Sequence, residues 1–354
     1  MIGTGSGQFE AAVNYGLDGF AQSIIIADFN RDSKWDVAVA SFIPDTNENK
    51  VSVLQGNGDG TLKANIQYEV GAQPLSASVA DFNGDGKLDA AVANYGDQSI
   101  SLLLGKGDGK FEDAVHYAVG SNPISIAVGD LNRDGKPDIV VANFGQSGGG
   151  SYSISVLKGN GDGTFQPAVH HPVGDKPRSV VVGDFNGDGK PDVAVANAGA
   201  NTVAVLLGAG DGTFPTMKIH TGDANVASPR SLAAADFNND GKLDLAIANT
   251  GGAKKVYLLQ GKGDGTFQAG DNTYGAAGST SPGGCDGEEV APDEQPDQLG
   301  QMQAISVVLK KVAYNVAQNQ NQCLTAARKV AKGCRDVGKT KWSLFKAGFQ
   351  PFKN

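Results

Sequence analysis

Asp81-Phe82-Asn83-Gly84-Asp85-Gly86-Lys87-Leu88-Asp89 recurs with small changes, and its reading decides the fold. Four further copies begin at Asp28, Asp130, Asp184 and Asp236, giving steps of 53, 49, 54 and 52 residues between successive starts. A fixed period of this size marks a repeat or propeller architecture. Oxygen-bearing side chains stand at positions one, three and five, and glycine at position six permits a tight turn. That arrangement curls the chain around a hard cation such as calcium. Position seven is Lys in every copy and offers its backbone carbonyl; Asp at position nine closes the set. The candidate metal ligands are therefore Asp28, Asn30, Asp32, Lys34 and Asp36; Asp81, Asn83, Asp85, Lys87 and Asp89; Asp130, Asn132, Asp134, Lys136 and Asp138; Asp184, Asn186, Asp188, Lys190 and Asp192; and Asp236, Asn238, Asp240, Lys242 and Asp244. About five structural Ca²⁺ ions are expected on that count.

An EF-hand would end with Glu at position twelve and lie between helices. Here the flanks are strand-like, Ser-Ala-Ser-Val-Ala before and Ala-Ala-Val-Ala-Asn after, so an EF-hand is rejected. The first copy carries Ser33 where the others have Gly, a strained choice at positive φ, and weaker binding is expected there. The fifth carries Asn239 at a variable position, with no effect expected. The plainer reading of each nonamer is a metal-free turn rich in Asp and Asn; five in-phase copies favour the metal.

A second motif, Gly105-Lys106-Gly107-Asp108-Gly109-Lys110-Phe111, repeats in the same phase at Gly159 to Phe165, Gly208 to Phe214 and Gly261 to Phe267. Gly56 to Leu62 has Leu for Phe, and Gly3 to Phe9 is a worn copy. Its Asp-Gly predicts a type I′ turn, with positive φ at both central residues, joining two antiparallel strands. Each unit then reads as four strands. In the third these are Ser125–Gly129, Ile139–Asn143, Ile154–Lys158 and Thr164–Val173. Apolar runs such as Ile24-Ile25-Ile26 and Val180-Val181-Val182 predict strands buried on both faces.

Other residues keep the phase: Ser23, Ser76, Ser125, Ser179 and Ser231; Asn94, Asn143, Asn197 and Asn249, with Ser41 in the first unit; Pro74, Pro123, Pro177 and Pro229 before the first strand; and Tyr15, Tyr68, Tyr117, His171 and His220. Because His alternates with Tyr at that last place, packing or a strand-end hydrogen bond explains it better than metal chemistry.

The two motifs together resemble the FG-GAP/VCBS repeat family, over roughly residues 3–275. The resemblance implies an all-β fold, a β-propeller of about five four-stranded blades with one calcium loop per blade. It also implies an extracellular or cell-surface setting and a role in adhesion or glycan binding. Many relatives close with seven blades. Five loops here mean that five blades close on themselves or that the chain lacks blades, and the strand at residues 8–15 fits a fragment or a ring-closing strand.

The chain has 354 residues and net charge −9. Residues 299–354 carry ten Lys/Arg and one acidic residue, a net +9, which leaves −18 on residues 1–298. Fifteen aspartates of the nonamers supply most of that excess, so folding and calcium binding are expected to be coupled. An acidic repeat region argues against nucleic acid as a partner. No 18-residue apolar run predicts a transmembrane helix and no signal peptide is visible at Met1. The three cysteines, Cys285, Cys323 and Cys334, lie outside the repeats and form no disulfide framework. Cys285 could pair with either of the others.

Domain organisation follows: 1–275 repeats, 276–298 a flexible acidic linker, 299–354 a basic helical tail. Ile305, Leu309, Val312 and Val316 recur at helical spacing within 299–332, a candidate surface for a partner or for self-association. A membrane-surface segment and an unstructured tail compete with that reading.

Three functional classes are weighed. A binding module for a glycan or an extracellular protein is favoured. A structural or assembly module acting through the C-terminal helix comes second, and a polysaccharide lyase or hydrolase third. Catalysis needs an asymmetric set of acid, base and charge stabiliser; the carboxylates and histidines follow the repeat, so no catalytic residue is assigned. Candidate ligand-contact loops are Ile43 to Lys50, Gly145 to Tyr152 and Asp223 to Ser228, against simple length drift in exposed connections.

Overall fold

The computed structural model describes residues 13–44, 48–146, 152–221, 223, 225–251 and 255–275. They form five four-stranded antiparallel sheets with no helix among the described residues. The first sheet runs β1 (Phe20–Ala27), β2 (Asp36–Ile43), β3 (Glu48–Leu54), β4 (Ile66–Glu69). The second runs β5 (Pro74–Ala80), β6 (Asp89–Asn94), β7 (Ser99–Leu103), β8 (Val115–Ala118). The third is β9 (Pro123–Gly129), β10 (Asp138–Asn143), β11 (Ser153–Leu157), β12 (Val169–Pro172). The fourth is β13 (Pro177–Gly183), β14 (Asp192–Asn197), β15 (Thr202–Leu207), β16 (Thr216–His220). The fifth is β17 (Pro229–Ala235), β18 (Asp244–Asn249), β19 (Lys255–Gly261), β20 (Phe267–Gly275). Strand order follows chain order in every sheet, so each repeat is one meander. The helix expected within 299–332, the linker and all three cysteines lie outside the described residues.

The hydrophobic cores lie between sheets, not within them. Ile25, Phe29, Val53 and Phe111 share one core between the first and second sheets. Phe82, Ile126, Leu157 and Phe165 share the next. Leu131, Val156, Val180 and Phe214 fill the third. Val181, Phe185, Leu232 and Phe267 fill the fourth. A sheet of this size cannot bury both faces alone, so stability is a sum of neighbour terms. The first strands lie side by side around the stack: β1 with β5, β5 with β9, β9 with β13, and β13 with β17. The repeated serines join them. Ser23, Ser76, Ser125 and Ser179 each accept, through Oγ, a backbone N–H of the next sheet's first strand, from Ala77, Ile126, Val180 and Leu232 at 3.0–3.3 Å.

At Tyr68, Tyr117 and His171 the repeated aromatic position is a packing site, as its Tyr/His alternation suggested. Tyr68 and Tyr117 meet Phe111 and Phe165 of the following sheet edge to face, and His171 meets Phe214 in the same way. The Tyr68 hydroxyl also accepts the Phe111 N–H at 3.1 Å. Burial holds His171 below the usual imidazole range, which suits a packing residue.

Local expectations need correction in three places. The Gly-x-Gly-Asp-Gly turn is not type I′ about Asp-Gly. Its left-handed residues are the two glycines flanking the Asp, for example Gly58 (φ 82) and Gly60 (φ 86). The Asp instead bonds forward, and Asp59 Oδ1 accepts both the N–H and the hydroxyl of Thr61. The fourth strand of the third repeat is Val169–Pro172, shorter than Thr164–Val173. Phe165 makes only a bridge to Gly159 and turns its ring into the neighbouring core, and Pro167 has no N–H for a ladder. Ile26 is 41% exposed although its apolar run predicted burial on both faces, because no sheet precedes the first among the described residues. Position four of the nonamer is left-handed throughout, and it holds Arg31 (φ 61), Arg133 (φ 61) and Asn239 (φ 59) as well as glycine.

Candidate metal loops

Each nonamer bridges the first and second strands of its sheet, and its ninth residue is the first of the second strand. Positions four and six are both left-handed. In the second loop these are Gly84 (φ 72) and Gly86 (φ 78); in the first they are Arg31 (φ 61) and Ser33 (φ 63). Two such residues close together coil the loop until its own N–H groups face its side-chain oxygens. Asp81 accepts from Asp85 and Gly86 at 3.1 and 2.8 Å, Asn83 from Asp85 at 3.1 Å, and Asp85 from Lys87 at 2.9 Å. The first, third and fifth loops repeat this set. In the fourth, Asp184 accepts from Gly187 and Gly189 instead, while Asn186 and Asp188 keep their partners.

The side chain of the position-seven lysine folds back on the position-five aspartate in four loops: Lys34 on Asp32, Lys87 on Asp85, Lys136 on Asp134 and Lys190 on Asp188, at 2.9–4.0 Å. These pairs are solvent-exposed and contribute little to stability. The Lys87 ammonium, first among the causes, holds Asp85 below the usual carboxylate range.

Position nine behaves differently. Asp36, Asp89, Asp138, Asp192 and Asp244 are buried, at 0–2% exposure. One oxygen of each accepts the N–H of position two (Phe29, Phe82, Leu131, Phe185, Phe237). The other accepts the N–H of the first glycine of the second motif (Gly56, Gly105, Gly159, Gly208, Gly261). All ten bonds are 2.7–3.0 Å. The glycine is needed for this approach: a Cβ on Gly105 would stand 2.2 Å from the Leu88 carbonyl oxygen. Burial pushes Asp89 up to about 6, against the pull of the Gly105 and Phe82 N–H groups, and Asp85 and Asp81 push it further. Burial raises Asp138 and Asp192 in the same way. Among the described residues no Lys or Arg ion pair reaches a position-nine carboxylate.

This clamp between the two motifs was not legible in the sequence. The separation from Asp to Gly is 16 residues in the second and fourth repeats, but 20, 21 and 17 in the first, third and fifth. A bond of constant length hides behind a variable spacing.

The donor set fits a hard cation: per loop, three carboxylates, an Asn amide oxygen and a backbone carbonyl, with lone pairs left on each position-nine oxygen. The buried carboxylate of position nine, held by N–H groups and by no cation among the described residues, fits it too. As the loops stand, their carboxylates face N–H groups, and among the described residues no three His, Cys, Asp or Glu side chains converge as a ready metal cluster.

One polar cluster breaks the repeat. Tyr257 donates to Asp223 Oδ2 at 2.7 Å, and His220 Nε2 lies 3.4 Å from the same oxygen. Asp223 Oδ1 also holds the N–H of Asn225. Tyr257 is 1% exposed, so the set ties a connection to the fifth sheet. Of the three loops flagged as ligand contacts, the tips at 45–47, 147–151 and 222 and 224 lie outside the described residues.

Residues 28–92, 81–141, 139–195, 184–247 and 236–286 each match the FG-GAP-like repeat. The chain belongs to the FG-GAP-like repeat family. No curated protein sequence matches it. Among solved structures it is similar in fold to a functionally unknown protein from Desulfotomaculum acetoxidans (15% identity, TM-score 0.50, 71% of each chain covered). It is also similar to a candidate 6-phosphogluconolactonase from Bacteroides fragilis (19%, TM-score 0.51, 70% of this chain and 69% of that one). A match to the V. cholerae biofilm matrix protein Bap1 has 18% identity and TM-score 0.44, over 70% of this chain and 39% of that one. Five four-stranded sheets, one for each FG-GAP-like repeat, form the propeller-like array. Among the described residues no helix is long and apolar enough to cross a membrane.

Proposed function

We propose that the five loops bind calcium and that the calcium-loaded array is a non-enzymatic binding module for an extracellular glycan or protein. The observation that carries the calcium reading is the position-nine aspartate: a buried carboxylate with no Lys or Arg ion pair among the described residues, repeated five times beside three further side-chain oxygen donors. Bound calcium would supply the missing positive charge and tie the loop to the clamp that holds the second motif. Affinity in the range of extracellular modules, Kd of about 10⁻⁴–10⁻³ M, suits loops that bring few charges and must reorient them. A partner-binding role is supported by connections that vary between repeats while the sheets do not.

The test is calcium titration by calorimetry, paired with thermal unfolding in millimolar calcium and in excess chelator. A higher midpoint in calcium with heat of binding at several sites is the expected result. Equal midpoints and no heat would leave the nonamers as hydrogen-bonded turns and end the calcium reading. Glycan-array screening in calcium then tests the binding role.

A further inference from the structure

The repeated aromatic position sets a ring beside a glycine-rich turn, and the polar end of that ring takes a backbone group of the turn. The Tyr15 hydroxyl accepts the Leu62 N–H at 2.9 Å, and the Tyr68 hydroxyl accepts the Phe111 N–H at 3.1 Å. The Tyr117 hydroxyl donates to the Gly163 carbonyl at 3.1 Å. Strand geometry leaves these groups available. Lys106 N–H bonds the Lys110 carbonyl and Glu112 N–H the Leu104 carbonyl, so Gly105 and Phe111 are a non-hydrogen-bonded pair and the Phe111 N–H faces out of the ladder. Phe111 and Phe165 then meet Tyr68 and Tyr117 edge to face, and Phe214 meets His171 in the same way.

The junction between the fourth and fifth sheets lacks this filling. His220 holds the aromatic position there, but its Nε2 lies 3.4 Å from Asp223 Oδ2, and among the described residues no ring contact joins it to Phe267. A cavity of about 140 Å³ stands beside it, with Val205, Lys218, Ile219, His220, Gly265 and Phe267 in its lining. Val205, Gly265 and Phe267 are buried and form the floor, while Lys218 and Ile219 are exposed and frame the mouth. The floor matches the surroundings of Tyr117: Val205 pairs with Ala194 as Leu102 pairs with Ala91, and Gly265 and Phe267 stand where Gly163 and Phe165 do. The Lys262 N–H bonds the Thr266 carbonyl at 3.0 Å, so Gly261 and Phe267 are again a non-hydrogen-bonded pair. The Phe267 N–H and the Gly265 carbonyl, counterparts of the groups that Tyr68 and Tyr117 take, thus border a cavity with His220, not tyrosine, beside them.

We propose that this cavity binds a phenol: one aromatic ring set against Phe267, whose hydroxyl accepts the Phe267 N–H and donates to the Gly265 carbonyl. The chain supplies the template, since Tyr68 and Tyr117 put the same group in the equivalent place. The size agrees, because a cavity of roughly 150 Å³ takes benzene. A free phenol and the tyrosine side chain of a partner polypeptide carry this group alike, and different probes separate them. None of the lining residues is a candidate metal ligand, so the site does not depend on the calcium reading.

Saturation-transfer NMR and calorimetry on the full chain in calcium, with p-cresol, toluene and N-acetyl-tyrosine amide as probes, provide the test. p-Cresol should bind. Toluene lacks the hydroxyl and should bind at least about tenfold more weakly, since two hydrogen bonds are lost. His220→Tyr should fill the cavity as Tyr68 and Tyr117 fill theirs and abolish p-cresol binding, with the fold verified by circular dichroism. His220→Ala leaves the floor intact and should still bind p-cresol. Binding of N-acetyl-tyrosine amide as well as p-cresol would assign the site to a tyrosine side chain of a partner; binding of p-cresol alone would assign it to free phenols. Absence of p-cresol binding up to its solubility overturns the proposal. So does toluene binding as tightly as p-cresol, p-cresol binding undiminished in His220→Tyr, or its loss in His220→Ala.

Discussion

Phe82 and Phe165, from neighbouring sheets, meet edge to face with ring centroids 5.4 Å apart and planes at 67–69° in this and the preceding junction. Phe82 is the second residue of a candidate metal loop and Phe165 ends the next repeat's glycine-rich turn, so this contact couples the two motifs across a sheet boundary. Phe82→Ala should cost about 3–5 kcal/mol, the usual range for a buried aromatic. Phe237→Ala, at the equivalent but exposed place, should change stability of the isolated protein by no more than about 0.5 kcal/mol. Urea unfolding of both variants checks the contrast; equal losses would mean that Phe237 is covered.

Asp89 and Asp85 should separate clamp from ligand. Asp89→Ala removes the acceptor of two buried N–H groups, those of Phe82 and Gly105, at about 1–3 kcal/mol for each group left unsatisfied. That loss should appear in chelator as well as in calcium. Asp85→Ala touches an exposed loop and should matter chiefly in calcium, lowering the calcium-induced rise in midpoint. Denaturation of both variants with and without calcium decides it.

Ser33 adopts φ 63 where the four other loops place glycine. Ser33→Gly removes the strain of a left-handed residue against a smaller loss of chain entropy, for a gain of roughly 1 kcal/mol. The first loop should also bind calcium more tightly. Calorimetry and unfolding of this single variant suffice; an unchanged or lower stability would show that the loop tolerates Ser without cost.

Burial, and then its bond to Asp223, pushes Tyr257 up to about 12. The folded state thus favours the neutral phenol. This contribution is complete below the ordinary tyrosine pKa of about 10 and is lost as pH rises through 12. Between those values wild type should lose stability more steeply than Tyr257→Phe. Unfolding midpoints across that window provide the measurement, and parallel curves would contradict it.

Much of the array was legible in the chain itself. Asp, Asn and Gly at fixed offsets favour a tightly coiled turn in which side-chain oxygens accept backbone N–H groups. Asp81, Asn83 and Asp85 therefore announced the loop, and the repeated Gly-x-Gly-Asp-Gly-x-Phe announced its partner turn. Local chemistry also showed Ser33 to be strained, because positive φ is a property of a residue and its neighbours alone. Tertiary structure decided what depends on contacts between repeats. The second role of position nine, as the clamp on Gly105 and its equivalents, needs two segments brought together over a variable number of residues. The fate of position two needs a neighbour: the same Phe is buried at Phe82 and open at Phe237, because burial belongs to the pair of sheets and not to the sequence of either.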